Sequence, residues 1–180
     1  MTRTSRVDGR SFDTLRPFAL ETGLQANPEG SVLVRAGKTT VLVSASVDEG
    51  VKDWLRGKGK GWVTAEYAMH PRANPSRQRR EGWNGPVSGR TQEIQRLVGR
   101  ALRAAVRPEK LGERTITIDC DVLDADGGTR TASITGGCVA LVDAVRSLMA
   151  SGRVKTDPVR HMVASVSVGI HGGQPVLDLD

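Results

Sequence analysis

An alternating run that leads through a glycine turn into a long apolar segment constrains this 180-residue chain most strongly. Residues 115–122 alternate strictly between polar and apolar side chains, which predicts a strand with one buried face. Asp126 and two glycines follow, and apolar residues then recur at helical spacing over residues 134–149. Gly152 is a typical helix end. The segment therefore predicts a strand that a tight turn connects to a core helix.

Further strand patterns occur on both sides of this segment. Residues 32–47 predict two strands joined by a tight turn, and residues 62–69 predict a third. Residues 162–170 alternate again, and a glycine turn sends the chain back into residues 176–180. Because strands and helices mix without an internal repeat or a linker, we expect one α+β domain over residues 1–180, a mixed or antiparallel β-sheet packed with helices.

The last predicted strand is short. It has five residues, against nine in the strand that it should pair with. We expect that the domain lacks its C-terminal part, and the alternative is a short closing strand.

The net charge of +6 is concentrated in one part of the chain. Residues 72–114 contain ten arginines and one lysine against four glutamates, a net charge of +7. Arginine presents a planar fork that fits phosphate, and a localised basic tract is typical of a protein with a polyanionic partner. A solvated basic surface is the alternative. Within the tract, residues 71–86 predict a long exposed loop, and residues 90–106 predict a helix that ends at Pro108.

Residues 71–80 of the predicted loop contain four arginines and no acid, with Trp83 close behind them. Arginine contacts to phosphate bind nucleic acid without sequence preference and with strong salt dependence. The loop therefore favours a nucleic-acid backbone as its partner.

Two segments place glycine, a hydroxyl residue and arginine together at a predicted helix N-terminus. They are residues 126–133, with the sequence DGGTRTAS, and residues 88–91, with the sequence SGRT. Glycine lets backbone N–H groups approach an anion, the helix N-terminus is partly positive, and arginine adds a bidentate contact. For the first segment, a capped helix after a tight turn is the alternative. Together the two segments predict one shared phosphate site.

Composition excludes several other classes of protein. The longest uninterrupted apolar run has five residues, at 138–142, so no membrane span is expected, and the polar N-terminus does not resemble a signal peptide. Cys120 and Cys138 fit neither a disulfide framework nor a zinc site, which favours a reduced, cytoplasmic protein. The aspartates between 119 and 126 lack the spacing of a calcium loop.

Taken together, these segments resemble the ribonuclease PH family, phosphate-dependent 3′-to-5′ exoribonucleases that trim tRNA ends. The most specific stretch is residues 119–136, with the sequence DCDVLDADGGTRTASITG. The other matching stretches run in order over nearly the whole chain, at residues 10–16, 30–34, 59–67, 89–97 and 100–106.

The resemblance implies roles for residues at matching positions. It implies phosphate binding by Arg90, Gly128, Thr129 and Arg130, and tRNA binding by Arg72, Arg77 and Arg80. The acidic motif with the family's catalytic and metal-binding aspartates falls beyond Asp180. The resemblance therefore assigns no catalytic or metal-binding residue within this sequence, and neither Asp178 nor Asp180 is given such a role.

The resemblance also implies a reaction. Inorganic phosphate, as co-substrate, attacks the last phosphodiester of tRNA or another structured RNA with a 3′ extension, including rRNA, and reversibly releases a nucleoside diphosphate. A divalent metal such as magnesium and a homohexameric ring, a trimer of dimers, are implied with it. One alternative is a catalytically inactive RNA-binding subunit or fragment of such an enzyme. Another is a fragment that does not fold stably.

Overall fold

Five strands pair into one mixed sheet in the computed structural model, which describes residues 6, 8–82 and 85–179. The strands are β1 (Phe18–Thr22), β2 (Gly30–Ala36), β3 (Thr39–Glu49), β4 (Trp62–Met69) and β5 (Arg114–Asp124). Their order is β1-β2-β3-β5-β4, and all neighbours are antiparallel except β4 and β5. These two are parallel because the chain between them crosses over the sheet through helices. The expected single α+β domain with a mixed sheet is confirmed.

The helices cover one face of this sheet. They are α1 (Gly89–Ala105), α2 (Pro108–Leu111) and α3 (Thr129–Ala150). α1 packs on β4, α3 packs on β2 and β3, and the two helices contact each other over one shared core. α3 can approach the sheet closely because glycine occupies the contact points: a Cβ at Gly136 would overlap Val34, and a Cβ at Gly30 would overlap the Ala140 carbonyl oxygen. The predicted core helix is therefore confirmed.

Among the described residues, α3 alone is long and apolar enough to cross a membrane, with a mean hydropathy of 1.3 over its most apolar window. The fold buries 67% of that window. Its residues 132–148 supply much of the core against β2 and β3. The apolar residues of α3 thus form part of the core of this domain.

The prediction of a strand over residues 162–170 is wrong for most of its length. Only β6 (Val168–His171) is a strand, paired with β7 (Gln174–Leu177) in a separate hairpin. Before β6 the chain runs along α3 instead of along a strand. Val163 N–H donates to Cys138 Sγ at 3.2 Å, and Ser165 N–H donates to Thr135 Oγ1 at 3.1 Å. The apolar residues of the alternation do not face the helix, since Met162, Val166 and Ile170 are exposed, and the half-buried positions are those between them.

Two predicted boundaries also shift. α1 ends at Ala105, and Pro108 begins α2 at a position where its missing N–H costs nothing. β7 ends at Leu177 because Asp178 has a φ of +52°, which no regular strand accommodates.

Candidate functional site

A cavity of about 520 Å³ lies where α1 and α3 begin. We call it the central cavity, and its walls come from the end of β4, the loop after β4 and the first turns of both helices. Of the predicted phosphate-binding residues, Arg90, Gly128, Thr129 and Arg130 all line it. The structure thus brings together two segments that lie about 40 positions apart in the sequence.

The start of α3 presents backbone donors to this cavity. Gly127 and Gly128 have φ angles of +76° and +69°, the left-handed region that glycine adopts without strain. Gly128 is the N-cap residue, no side chain caps the helix, and its first turn contains no acid. Residues 126–129 form what we call the glycine turn. Because the N–H groups of the first helical turn lack carbonyl partners within the helix, the glycine turn can bind an anion.

Two arginines add charge to the same cavity. Arg130 Nη2 donates to Glu93 Oε2 at 2.7 Å, whereas its buried Nε has no hydrogen-bond partner among the described residues. The Arg90 side chain is exposed, and within the described ranges its guanidinium makes no hydrogen bond or ion pair. A buried donor without an acceptor costs about 1–3 kcal/mol, and both guanidinium side chains line the central cavity. The pair can therefore hold an oxyanion by charge-assisted hydrogen bonds.

Tyr67 orders the floor of the central cavity. It is 4% exposed, and its hydroxyl donates to Thr129 Oγ1 at 3.0 Å. Burial raises the pKa of Tyr67, while the hydrogen bond to Thr129 and the positive charges of Arg90 and Arg130 act in the opposite direction. The phenol therefore stays protonated at neutral pH and keeps Thr129 in place. Sequence reasoning missed Tyr67, since a lone tyrosine in a strand carries no local signal.

The start of α1 differs from what its sequence predicts. Ser88 Oγ caps the helix by accepting from Thr91 N–H at 3.2 Å. The Glu81 carboxylate accepts from the Thr91 hydroxyl at 2.7 Å and from Ser88 N–H at 3.2 Å. These hydrogen bonds, the one from Thr91 first, lower the pKa of Glu81, so it is ionised at neutral pH. A carboxylate of the protein itself thus lies at this helix N-terminus, and α1 contributes Arg90 and Thr91 to the cavity.

The loop predicted over residues 71–86, which we call the arginine loop, begins beside the central cavity. Its residue Ala73 is buried, and Ala73 O accepts from Ala125 N–H at 2.9 Å, so the predicted exposed loop is anchored at this point. Farther along, a second cavity of about 680 Å³, the loop cavity, is lined by Arg77, Arg79 and Arg80. Arg79 and Glu81 line both cavities, so the two lie side by side and share part of a wall.

The three residues predicted to bind tRNA do not all meet. Arg77 and Arg80 lie together in the loop cavity. Arg72 is exposed but lines neither cavity, and its guanidinium donates to the Pro75 carbonyl oxygen at 2.7 Å. Trp83 lies outside the described residues.

The implied divalent metal does not fit the described residues. Within residues 6, 8–82 and 85–179, no group of three or more His, Cys, Asp or Glu side chains could hold a metal ion. Asp178 is buried and paired with Arg16, and Asp180 lies outside the described residues. We therefore derive no step of the reaction through a metal.

The sequence also matches a known family. Residues 14–147 match the 3′ exoribonuclease family, domain 1, the RNase PH domain. The chain belongs to this family. The matched range contains both helix N-termini, the arginine loop and the glycine turn, so the whole wall of the central cavity except Ser167 falls inside the RNase PH domain.

Solved structures share the fold over nearly the whole chain. A crystal structure of rice (Oryza sativa) Rrp46 has a TM-score of 0.75 and 20% identity, over 96% of this chain and 72% of that chain, a likeness that shows the fold alone. The Archaeoglobus fulgidus exosome with RNA bound to the active site has a TM-score of 0.79 and 26% identity, over 97% of this chain and 70% of the other. An archaeal exosome core has a TM-score of 0.72 and 25% identity, over 97% and 68%.

Proposed function

We propose that this RNase PH-family protein degrades RNA from its 3′ end by phosphorolysis. The observation that carries the proposal is the central cavity, in which Arg90, Arg130 and the glycine turn converge within a 3′ exoribonuclease domain. Hydrolysis uses water as nucleophile, whereas phosphorolysis uses an anion, and two arginines beside a helix N-terminus in one cavity support an anionic nucleophile. Inorganic phosphate is the anion that such a reaction consumes.

The reaction balances without a covalent enzyme intermediate. An oxygen of inorganic phosphate attacks the phosphorus of the last phosphodiester. The bond from that phosphorus to the 3′ oxygen of the preceding nucleotide breaks, and this oxygen takes a proton. The products are a nucleoside diphosphate and an RNA that is one nucleotide shorter. One phosphate linkage replaces another, so the reverse reaction also runs.

The residues of the cavity act on charge and position. Two anions repel each other in this reaction, and charge builds on the transferred phosphoryl oxygens. Arg90 and Arg130 neutralise the attacking phosphate, and the glycine turn fixes its orientation through N–H groups. Tyr67 donates a hydrogen bond to Thr129 and so holds the last residue of the glycine turn in position for the phosphate.

The loop cavity supports an RNA substrate. It adjoins the central cavity and presents Arg77, Arg79 and Arg80, which suit successive backbone phosphates of a strand whose 3′ end reaches the attacking phosphate. The Archaeoglobus exosome structure, with RNA at its active site, supports the same class of substrate. We propose tRNA and other structured RNA with 3′ extensions, including rRNA precursors, as substrates.

A homo-oligomeric ring and a cytoplasmic location are also part of the proposal. The two buried free thiols support a reducing compartment.

A phosphorolysis assay on a 3′-extended tRNA tests this proposal. We expect nucleoside diphosphate release that depends on added phosphate. Arg90→Ala and Arg130→Ala should raise the KM for phosphate by about tenfold or more, the loss of one charge-assisted contact. Arg77→Ala with Arg80→Ala should instead weaken tRNA binding and flatten its salt dependence. Release of monophosphates without phosphate, or equal losses in both assays for both pairs, would contradict the proposal.

A second candidate is a catalytically inactive RNA-binding subunit. It is favoured by the lack of any metal-holding group of side chains among the described residues. It predicts that the 180-residue chain binds phosphate and tRNA but releases no nucleoside diphosphate. Phosphorolysis by this chain alone would eliminate it, and a cooperative thermal unfolding transition would eliminate a fragment that does not fold stably.

A further inference from the structure

We propose that Arg16 is a positioning residue of the phosphate site, which it serves by fixing the backbone of the glycine turn. This inference rests on the proposed function. Arg16 lies outside the central cavity, before β1, and the sequence analysis assigned it no role.

The Arg16 guanidinium bridges the glycine turn and the end of the chain. Its Nη1 donates to the Asp126 carbonyl oxygen at 2.5 Å. Its Nε and Nη2 donate to the two carboxylate oxygens of Asp178 at 2.9 Å and 2.8 Å. Arg16 is 7% exposed and Asp178 is 8% exposed, so this fork is held in a buried, water-poor environment. The bidentate pair with Asp178 fixes the direction in which Nη1 points.

Thr39 holds the glycine turn at the next peptide. Its hydroxyl donates to the Gly127 carbonyl oxygen at 2.6 Å and accepts from Asp126 N–H at 2.9 Å. Arg16 and Thr39 therefore fix two consecutive carbonyl groups of the turn, those of Asp126 and Gly127.

Peptide planarity carries this restraint into the cavity. The Asp126 carbonyl and the Gly127 N–H belong to one peptide plane, and the Gly127 carbonyl and the Gly128 N–H belong to the next. Fixing each carbonyl oxygen therefore fixes the N–H group opposite to it. Gly127 and Gly128 both line the central cavity. Arg16 thus orients an anion-binding N–H group without touching the anion.

Packing places Arg16 directly beneath the turn. A Cβ on Gly128 would lie 2.8 Å from Arg16 Nη2, closer than such atoms approach. Glycine at this position therefore provides both the left-handed backbone and the space for the guanidinium. A lysine at position 16 could keep the charge opposite Asp178, but its single nitrogen lacks the planar fork that reaches Asp178 and Asp126 together. The geometry requires arginine.

Phosphate affinity and amide exchange test this role. We would measure the dissociation constant of the chain for inorganic phosphate by calorimetry, and amide hydrogen exchange at residues 127–129, in Arg16→Lys and Thr39→Val. Leu148→Ala is the matched control, because Leu148 is fully buried near the far end of α3 and its truncation destabilises the fold away from the turn. All measurements are made well below the lowest Tm.

We expect both turn variants to bind phosphate about tenfold more weakly and to exchange faster at residues 127–129, while Leu148→Ala lowers the Tm and leaves both readouts unchanged. Unchanged phosphate affinity in Arg16→Lys, or an equal loss in Leu148→Ala, would overturn the positioning role. If the unmodified chain binds no phosphate, or if Arg90→Ala binds it equally well, the proposed function fails. Exchange at residues 127–129 then still decides whether Arg16 holds the turn, and unchanged exchange refutes it.

Discussion

Replacing Asp178 by Asn should remove a charge on which the stability of the fold depends. Hydrogen bonds from Arg16 hold the pKa of Asp178 at about 2, against an ordinary value of 3.8, although burial acts in the opposite direction. A difference of this size corresponds to about 2 kcal/mol of folding free energy. Asn is a suitable replacement because it keeps an acceptor for Arg16 and tolerates the φ of +52° at this position. We expect Asp178→Asn to lower the free energy of unfolding by about 2–3 kcal/mol at pH 7.

The sign of the pH dependence follows from the lowered pKa. The contribution of Asp178 is fully present above the pKa of the unfolded chain, near 4, and is lost as the pH falls towards 2. Urea unfolding of both proteins at a series of pH values from 7 to about 3 measures the difference directly. Asp53→Asn serves as control, because Asp53 forms an ion pair with Arg56 in which both side chains are largely exposed, and such pairs stabilise little. A variant as stable as the unmodified protein at pH 7, or a difference that persists undiminished in acid, would refute this reasoning.

Three further predictions concern packing and reactivity. Gly136→Ala should destabilise the fold by about 1–3 kcal/mol in urea unfolding, because its new methyl group overlaps Val34. Arg103→Ala should shift the emission of Trp62 to longer wavelength, since the guanidinium carbon lies 4.3 Å from the centre of that ring and shields it, whereas Arg103→Lys should shift it less. Cys120 should resist iodoacetamide at pH 8 until the protein is unfolded, because the thiol is buried and burial raises its pKa to about 12; rapid labelling of the folded protein would contradict this.

Sequence reasoning succeeded where one element carries its own periodic pattern. β5 alternates over most of its length, and α3 repeats apolar residues over several turns, so each could be predicted without knowledge of its partners. The convergence of Arg90 with the glycine turn was also predictable, because each lies at the start of a helix and suits the same ligand. The glycine, hydroxyl residue and arginine at each predicted helix N-terminus indicated the phosphate site from the sequence.

The same reasoning failed where the partner of a segment is distant. Residues 162–170 alternate like a strand, yet the first part of this segment bonds to α3. Val163 N–H donates to Cys138, and Ser165 N–H donates to Thr135. Glu81 reaches the start of α1 across a loop, and Arg16 meets Asp178 across 162 positions. Neither contact leaves a periodic trace in the sequence. Tertiary hydrogen bonds of this kind depend on the completed fold.

The structure also changes what the basic tract means. Not every arginine in residues 72–114 is available to a polyanion: Arg103 donates to the Val63 carbonyl oxygen at 2.8 Å, and Arg114 pairs with Glu49 at 3.0 Å. Within this tract, the arginines that line the two cavities come from the loop and from Arg90, and Arg130 adds one from outside the tract. The arginines of the tract therefore serve both tertiary contacts within the domain and the walls of the cavities. Because counterion release scales with the phosphates that are neutralised, the arginines that already pair within the protein should add little to the salt dependence of RNA binding.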